Sequence, residues 1–335
     1  MNLATRYLGL ELAHPIVASA SPLTSTLDGM RRLEDAGAAA VVMASLYEEQ
    51  IRAEDTAYAL YTEHGSDSQA EASSYFPELP DYDQGVSGHL ETLRRASDAL
   101  DIPVIASLNG TTAAGWTGHA RALEQAGAAA IELNIYSVPI DLTVSGAEIE
   151  RRTLEVVREV AATVTIPIAI KLVPYFSSMP HMAAELVRAG ARGLVLFNRL
   201  YAPDIDLATL QVTRSLPLST PAEVPLSLVW IALLSRRVAC SLAASRGVET
   251  YVEVVKYLLA GADVVMTTSA LLRHGPDHLA TLRAGLERWL AENAFDSVAA
   301  MRGLKDATHR QDIDALLRAQ YVATLTEYLP GKLVQ

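Results

Sequence analysis

Charged, leucine-bearing stretches of the chain alternate with short apolar stretches that are rich in β-branched residues. The change occurs four times at an Ala-Gly-Ala tripeptide, in EDAGAAAVVMAS, EQAGAAAIELNI, VRAGARGLVLFN and LAGADVVMTTS. Helices commonly end in a left-handed residue, a conformation that glycine adopts without steric cost. The pattern therefore predicts a repeated helix-to-strand junction, with its left-handed residues at Gly37, Gly127, Gly190 and Gly261.

Eight stretches have the composition of buried strands. They are residues 16–20, 40–45, 103–109, 130–135, 167–172, 193–198, 240–245 and 264–269. Helical patterns follow most of them, at residues 27–36, 90–100, 116–126, 146–163, 179–189, 227–237, 250–259 and 278–293. Strands and helices that alternate at this spacing are typical of a parallel sheet, and eight units indicate a closed (β/α)8 barrel, or TIM barrel. Chemistry in that architecture occurs at the carboxyl ends of the strands.

Three segments do not fit the repeat. Residues 51–88 are acidic and polar and are expected to form a loop, which could act as a lid over the strand ends. Residues 199–223 are expected to form a short β-excursion after the sixth strand. The prediction is a single barrel over residues 1–294 with these two insertions, and a helical extension over residues 295–335 that packs on the barrel.

Composition narrows the classes of partner. The net charge of −12 opposes binding to nucleic acid and to anionic lipid, and no basic run offsets it. The longest apolar run, LSLVWIALL, is too short to span a bilayer and is expected to form a buried helix. The N-terminal stretch MNLATRYLGLELAHP lacks the apolar segment of a signal peptide, and the single cysteine, Cys240, excludes an internal disulfide. We therefore expect a cytoplasmic protein with neither a nucleic acid nor a membrane as its partner.

Metal binding has little support in the sequence. Of the eight histidines, only His274 and His278 have the spacing of metal ligands. The intervening Gly275-Pro276 interrupts any helix that would align the two imidazoles. No metal site is expected.

Polar residues end most of the predicted strands. They are Ser45, Asn109, Asn134, Lys171, Asn198, Ser245 and Ser269. A single asparagine in such a place could simply satisfy backbone groups of a loop. Because parallel strands bring their carboxyl ends to one mouth, several such residues together favour a ligand site.

Lys171 stands out among these residues because it follows the apolar stretch PIAI. An ammonium group in such surroundings is costly to desolvate and must find an anion. Three roles are open: an ion pair with Glu132 on the neighbouring strand, a contact with a negatively charged or electron-accepting ring, or a Schiff-base nucleophile.

The turns after the last two strands, AASRGVET and TTSALLRHGP, have the features of a phosphate site. Gly247 and the hydroxyl groups of Thr268 and Ser269 suit a phosphate, and Arg246 and Arg273 could add positive charge. TIM barrels often bind phosphate after strands seven and eight.

The chain resembles dihydroorotate dehydrogenase in eight segments, over about residues 1–325. In order these are IVASASPL, VVMASLYEEQI, PVIASLNG, ELNIYSVP, PIAIKL, LVLFNR, AASRGV and MTTSALL. The resemblance is strongest to bacterial dihydroorotate dehydrogenase-like proteins. It implies an FMN-containing TIM barrel of pyrimidine biosynthesis that oxidises dihydroorotate to orotate, with hydride passing to flavin N5 and a Cys or Ser base taking the ring proton. It also implies a homodimer.

The resemblance further implies roles for individual residues. Ser137 would be the catalytic base, and Lys171 would lie by the flavin N1/C2 carbonyl. Asn134 and Asn198 would contact the substrate as well as the flavin. The other flavin contacts would be Ala20, Ser21, Ser45, Asn109, Arg246, Gly247, Thr268 and Ser269.

Several positions depart from the family pattern. Ala44 stands where the family has a lysine, Ser21 replaces a glycine, and Arg246 replaces the first glycine of a phosphate-binding pair. Residues 60–88 contain no Asn-x-x-Gly-x-x-Asn signature. The leading hypothesis is an FMN oxidoreductase acting on a small molecule whose identity is open. Its alternatives are a flavin-free barrel with a partner or regulatory role, and a lyase that uses Lys171 as a Schiff-base nucleophile.

Overall fold

A closed ring of parallel strands forms the centre of the protein. The computed structural model describes residues 1–48, 85–110, 113–135, 138–199, 204–213, 217–305 and 313–326. The barrel strands are β3 (Ile16–Ala18), β4 (Val41–Val42) with β5 (Leu46–Tyr47), β6 (Val104–Gly110), β7 (Ala130–Ile135), β8 (Ile168–Leu172), β9 (Gly193–Leu196), β12 (Ser241–Ala244) and β13 (Val264–Thr267). The ring closes because Val41 pairs with Ala18 on one side and with Val104 on the other. The predicted (β/α)8 barrel is confirmed.

Helices surround this ring. They are α1 (Leu27–Asp35), α2 (Gly85–Ala99), α3 (Ala113–Gln125), α4 (Gly146–Thr163), α5 (Met179–Arg188), α6 (Val224–Leu234), α7 (Tyr251–Ala260), α8 (Ser269–His274), α9 (His278–Glu292), α10 (Val298–Met301) and α11 (Ile313–Thr326). Each of the eight predicted helical patterns overlaps one of them, and the range predicted for α4 is the observed one. The four junction glycines all have a positive φ, between +91° at Gly37 and +116° at Gly190. The predicted left-handed ends are therefore confirmed.

The interior of the barrel is filled by one apolar side chain or more from each of the eight strands. This inner cluster contains Val17, Val42, Ile105, Ala130, Ala169, Val195, Ala243, Val264 and Met266. Tyr7, Leu8 and Leu12 join it from an N-terminal hairpin of β1 (Thr5–Tyr7) and β2 (Leu10–Leu12). The hairpin is tied to the barrel by the Leu8 amide, which donates to Ser241 Oγ at 3.0 Å. It therefore closes the amino-terminal end, which leaves the carboxyl end open for a ligand.

The segments outside the repeat are partly described. Residues 204–213 form the expected β-excursion, an antiparallel hairpin of β10 (Asp204–Asp206) and β11 (Gln211–Thr213). Of the predicted lid, 51–84 lie outside the described residues and 85–88 begin α2. Beyond residue 294, the amides of Gly303 and Lys305 donate to the carbonyls of Leu258 and Leu259. These bonds support our proposal that residues 295–335 are an extension on a barrel of residues 1–294.

Two expectations need correction. The second barrel strand, expected over residues 40–45, is limited to β4 within that range, and β5 follows after a break; both pair with β6. The apolar run LSLVWIALL does form α6, but only one face of that helix is buried, and Leu226 and Val229 are exposed. A helix on the outside of a barrel packs on the strands through one face only, whatever the polarity of the other face.

Within the described residues, no helix is long and apolar enough to cross a membrane.

Gly190 allows a direct test of the junction. Its φ is +116°, and a Cβ at this position would lie 2.6 Å from Ala161 Cβ on α4. We expect Gly190→Ala to lower the free energy of unfolding by about 2–4 kcal/mol, because the cost of a strained backbone adds to the cost of an overpacked contact. Gly118, inside α3, is the control, because a Cβ there meets no atom within 4 Å. Gly118→Ala should raise the free energy of unfolding by about 0.5–1 kcal/mol. Equal effects in urea titrations of the two variants would contradict this account.

His14 joins the first barrel strand to the turn after α1. Its Nε2–H donates to the Gly37 carbonyl at 2.8 Å, and its Nδ1 accepts the Ile16 amide hydrogen at 3.2 Å. Burial lowers the pKa of His14 to about 4, against an ordinary value of 6.5. The unfolded chain therefore binds a proton more readily than the folded protein does in the pH range between these two values.

This shift predicts an acid-sensitive fold. The contribution of His14 to the free energy of unfolding is complete above pH 6.5. It falls by up to about 3 kcal/mol as the pH decreases toward 4. Urea titrations at pH 7 and pH 5 should show a smaller pH dependence for His14→Gln than for the wild type. Equal pH dependence of the two proteins would show that His14 is not buried in its uncharged form.

Candidate active site at the mouth of the barrel

A cavity of about 650 Å³ opens at the carboxyl ends of the barrel strands. This is a volume typical of sites for small molecules and cofactors. Ten of the residues predicted from the sequence line it: Ala20, Ser21, Ser45, Lys171, Asn198, Ser245, Arg246, Gly247, Thr268 and Ser269. They come from the ends of six of the eight barrel strands, so the barrel brings together side chains that are far apart in the sequence.

Lys171 lies at the floor of the cavity and forms an ion pair with Glu132. Its Nζ donates to Glu132 Oε1 at 3.0 Å and lies 3.5 Å from Ser19 Oγ. The Glu132 side chain is only 1% exposed, and the Lys171 side chain 13%. The second oxygen of Glu132 is buried and accepts no hydrogen bond. The ion pair foreseen as one role of Lys171 is therefore present, and the ammonium still borders the cavity.

The two asparagines expected to contact substrate are hydrogen-bonded to each other. Asn198 Nδ2 donates to Asn134 Oδ1 at 3.0 Å, and Asn198 Oδ1 accepts the Arg199 amide hydrogen at 2.9 Å. Asn198 lines the cavity, but Asn134 is buried behind it. Asn109 pairs in register with Asn134 and is also absent from the cavity wall. The structure thus brings Asn109 and Asn134 to the mouth without placing either at the cavity surface.

A cluster of hydroxyl and amide groups lies at the side of the cavity formed by the last barrel strands. The Ser219 amide and hydroxyl lie 3.0 and 2.9 Å from Ser269 Oγ, and the Gly247 amide donates to Ser219 Oγ at 3.3 Å. Gly247 has a φ of +70°, and a Cβ there would lie 2.7 Å from the Thr220 carbonyl oxygen. The predicted phosphate site therefore has a turn that glycine alone fits. Ser219 was missed because it belongs to the excursion between β9 and β12 rather than to a strand end.

Arg246 neither fills this cluster nor lies free beside it, because Glu223 binds its guanidinium group. Both Nε and Nη2 donate to Glu223 Oε2, the former at 3.0 Å. Burial opposes ionisation of Glu223, but the hydrogen bonds from Arg246 and from the Thr220 amide outweigh it and lower the pKa of this carboxyl. Arg273 is similarly engaged by Glu249 and by the Ser219 carbonyl, and it does not line the cavity.

His89 is a lining residue that sequence reasoning missed. It lies on α2 and lines the same cavity as Ala44 and Ser45, which follow β4. Nothing in the local sequence marks it, because it follows a polar stretch that is typical of a loop and does not end a strand. Burial lowers the pKa of His89 to about 4.

Two further expectations, a catalytic base and the absence of a metal site, concern residues that are not among those lining the cavity. Ser137, expected as the catalytic base, lies outside the described residues. His274 and His278 have ring centroids 4.7 Å apart, and both bind atoms of Glu249. In the ranges that the structure describes, no group of three potential metal ligands lies close enough to hold an ion.

Comparison with known proteins supports the resemblance. The family model for dihydroorotate dehydrogenase matches residues 80–290. A putative dihydroorotate dehydrogenase A (fumarate) of Aeropyrum pernix is 31% identical over 63% of this chain and 70% of its own length. The catalytic subunit of dihydroorotate dehydrogenase B (NAD(+)) of Methanothermobacter thermautotrophicus is 28% identical over 90% of this chain and 98% of its own. The NAD-dependent dihydropyrimidine dehydrogenase subunit PreA of Escherichia coli is 24% identical over 90% and 76%. The family match covers more than half of the residues, and the chain belongs to the dihydroorotate dehydrogenase family.

Proposed function

We propose that the protein is an FMN-dependent dehydrogenase that oxidises a small cyclic substrate at a CH–CH bond. One observation carries the proposal: a single cavity combines a partly buried cation, Lys171, with a cluster of amide and hydroxyl groups at Ser219, Gly247 and Ser269. This is the donor set that a ligand with an electron-accepting ring and a phosphate requires. The family membership supports the same function.

The residues present fit FMN. The turn at Gly247 packs against Thr220, where a Cβ would clash, and this packing holds the turn at the cavity wall beside the hydroxyl groups of Ser219 and Ser269, which would bind the phosphate. Lys171, held at the floor by Glu132, would lie at the N1/C2 edge of the ring. Ala20, Ser21, Ser45, Asn198 and Thr268 would complete the contacts from the cavity wall, with Asn134 and Asn109 supporting the wall from behind.

The chemistry divides between cofactor and protein. When bound, FMN supplies a hydride acceptor at N5. Lys171 offsets the negative charge that a reduced ring carries, and its ion pair with Glu132 holds the lysine in place. Asn198, whose amide is fixed by Asn134 and Arg199, presents its remaining hydrogen to substrate. Ser137 takes the proton from the substrate ring; this role rests on the family resemblance.

We propose a 5,6-dihydropyrimidine as the class of substrate. The names of the relatives specify dihydroorotate in two cases and dihydropyrimidine in a third. Both substrates contain a 5,6-dihydropyrimidine ring, in which the CH–CH bond to be oxidised lies next to the ring's carbonyl and N–H groups. Dihydroorotate and a role in cytoplasmic pyrimidine biosynthesis follow from the resemblance, and the absence of the Asn-x-x-Gly-x-x-Asn signature from residues 60–88 leaves the ring substituent open.

The protein is also proposed to be a homodimer, as the resemblance implies. Side chains that a second copy could cover include Leu207 and Leu210 of the hairpin and Leu226 and Val229 of α6, all of which are exposed. Light scattering of the purified protein should give twice the mass of 36.0 kDa. A monomer at micromolar concentration contradicts this assignment.

The two alternative functions receive less support. A Schiff-base lysine needs an amine that is free to attack a carbonyl group, whereas Lys171 Nζ donates to the carboxylate of Glu132 in an ion pair. A flavin-free barrel would follow if Arg246 blocked the phosphate cluster, but Glu223 binds its guanidinium group.

Lys171 provides the first test of the proposal. Protein purified without added flavin should be yellow and should release FMN on denaturation. Lys171→Met should weaken FMN binding roughly 10- to 100-fold, because a charged hydrogen bond to the ring is lost. Titration by flavin fluorescence quenching measures this.

Two controls separate this effect from loss of structure. The double variant Lys171→Met/Glu132→Gln removes both buried charges and should lose FMN to a similar degree. Arg192→Met, at a cation outside the cavity, should bind FMN as the wild type does. A double variant with unchanged FMN affinity would contradict the role of Lys171.

The ion pair between Arg246 and Glu223 provides the second test. If the guanidinium group faces a bound phosphate, Glu223→Gln should tighten FMN binding severalfold, because it removes the competing anion. Arg246→Gln should weaken FMN binding by about tenfold and reduce its dependence on salt. Riboflavin, which lacks the phosphate, should bind all three proteins alike. Tighter FMN binding by Arg246→Gln would show instead that the arginine obstructs the site.

A further inference from the structure

The imidazole of His89 occupies an unusual place in the cavity wall. His89, Leu93 and Ala96 are four and three residues apart along α2 and therefore share one face of the helix. Leu93 and Ala96 are buried in the core, whereas His89, a turn nearer the start of the helix, borders the cavity. The helix follows the second barrel strand, so His89 reaches the mouth from the side opposite β9 and β12.

One nitrogen of the His89 imidazole makes no hydrogen bond. Its Nε2 is buried and has no hydrogen-bond partner in the structure. Buried polar atoms nearly always have a partner, and an atom without one calls for a physical explanation. Since burial lowers the pKa of His89 to about 4, the ring is uncharged at neutral pH and has one donor and one acceptor nitrogen.

Four residues of the second strand region, Ala44 to Tyr47, also line the cavity, and of these Tyr47 offers a phenol group. Ala44 has no polar side chain, and the Ser45 hydroxyl group is shared with Ser107 at 2.8 Å. The side chain of Leu46 is apolar. Because no hydrogen bond holds Nε2, rotation about the Cβ–Cγ bond can present either nitrogen to a ligand.

We propose that His89 binds the substrate by a hydrogen bond to the carbonyl or N–H edge of its pyrimidine ring. This inference rests on the proposed function and adds a residue to it. Lys171 and the cluster at Gly247 already account for the edge and the phosphate of a flavin, and both lie across the mouth from His89. An uncharged imidazole suits an amide edge and is a poor partner for a carboxylate. His89 should therefore recognise the part of the ring that orotate and uracil have in common.

Two substitutions at His89 test the proposal in the FMN-loaded protein. His89→Phe keeps a planar ring and removes the hydrogen bond, and His89→Gln keeps an uncharged donor and acceptor. Orotate and uracil binding are measured by the change in the flavin absorption spectrum. We expect His89→Phe to weaken binding of whichever ligands the wild type binds by about 10- to 100-fold. His89→Gln should remain within about threefold of the wild type.

Measurements that do not involve turnover complete the test. FMN affinity should change less than about threefold in both variants, and His181→Phe, at an exposed histidine on α5, should change nothing. Ligand-free His89→Phe should unfold at a higher urea concentration than the wild type, because the substitution removes a buried nitrogen without a partner.

The contrary results are distinct. Pyrimidine binding by His89→Phe at wild-type affinity overturns the inference, as does a parallel loss of FMN and pyrimidine affinity, which would make His89 a flavin contact. A lower urea midpoint for the same variant would make its role structural and would also overturn the inference. A wild-type protein that takes up no FMN contradicts the proposed function instead; calorimetric titration of the flavin-free variants with uracil and orotate then decides the role of His89.

Discussion

The ion pair between Lys171 and Glu132 is the interaction on which the site depends. Both groups lie within a barrel whose interior is otherwise largely apolar, and the carboxylate is almost fully buried. A buried charge is tolerated only beside its counter-ion, so each residue fixes the place and the charge of the other. The unsatisfied second oxygen of Glu132 makes the pair expensive for the fold. Retaining such a pair at the floor of a cavity is understandable if the ammonium group serves a ligand.

The rest of the mouth is organised in the same pairwise way. Asn198 is oriented by Asn134, and Ser219 links Gly247 to Ser269. These contacts join residues that are separated by 28 positions or more in the chain, so they form only when the barrel closes. Groups held in this way need little rearrangement when a ligand binds, which is how a rigid scaffold supports catalysis. His89 differs from them because its Nε2 has no such partner.

Sequence reasoning predicted most of the barrel and part of the site. The eight strands and the left-handed glycines were accessible because composition and φ preference act over a few residues. The break between β4 and β5, the exposed face of α6 and the partner of Arg246 were not, because each depends on how distant segments pack. The expectation that polar residues at the ends of strands form the site correctly placed Lys171 and Asn198 at the cavity. It missed Ser219 and His89, which an excursion and a helix bring to the same mouth.

A crystal structure of the protein grown with FMN tests the central claim most directly. The account predicts one flavin in the cavity at the mouth of the barrel, with its phosphate against Gly247 and Ser269 and the N1/C2 edge of its ring within hydrogen-bond distance of Lys171 Nζ. A flavin bound elsewhere, or one in this cavity with its phosphate away from Gly247 and its ring away from Lys171, would contradict the account.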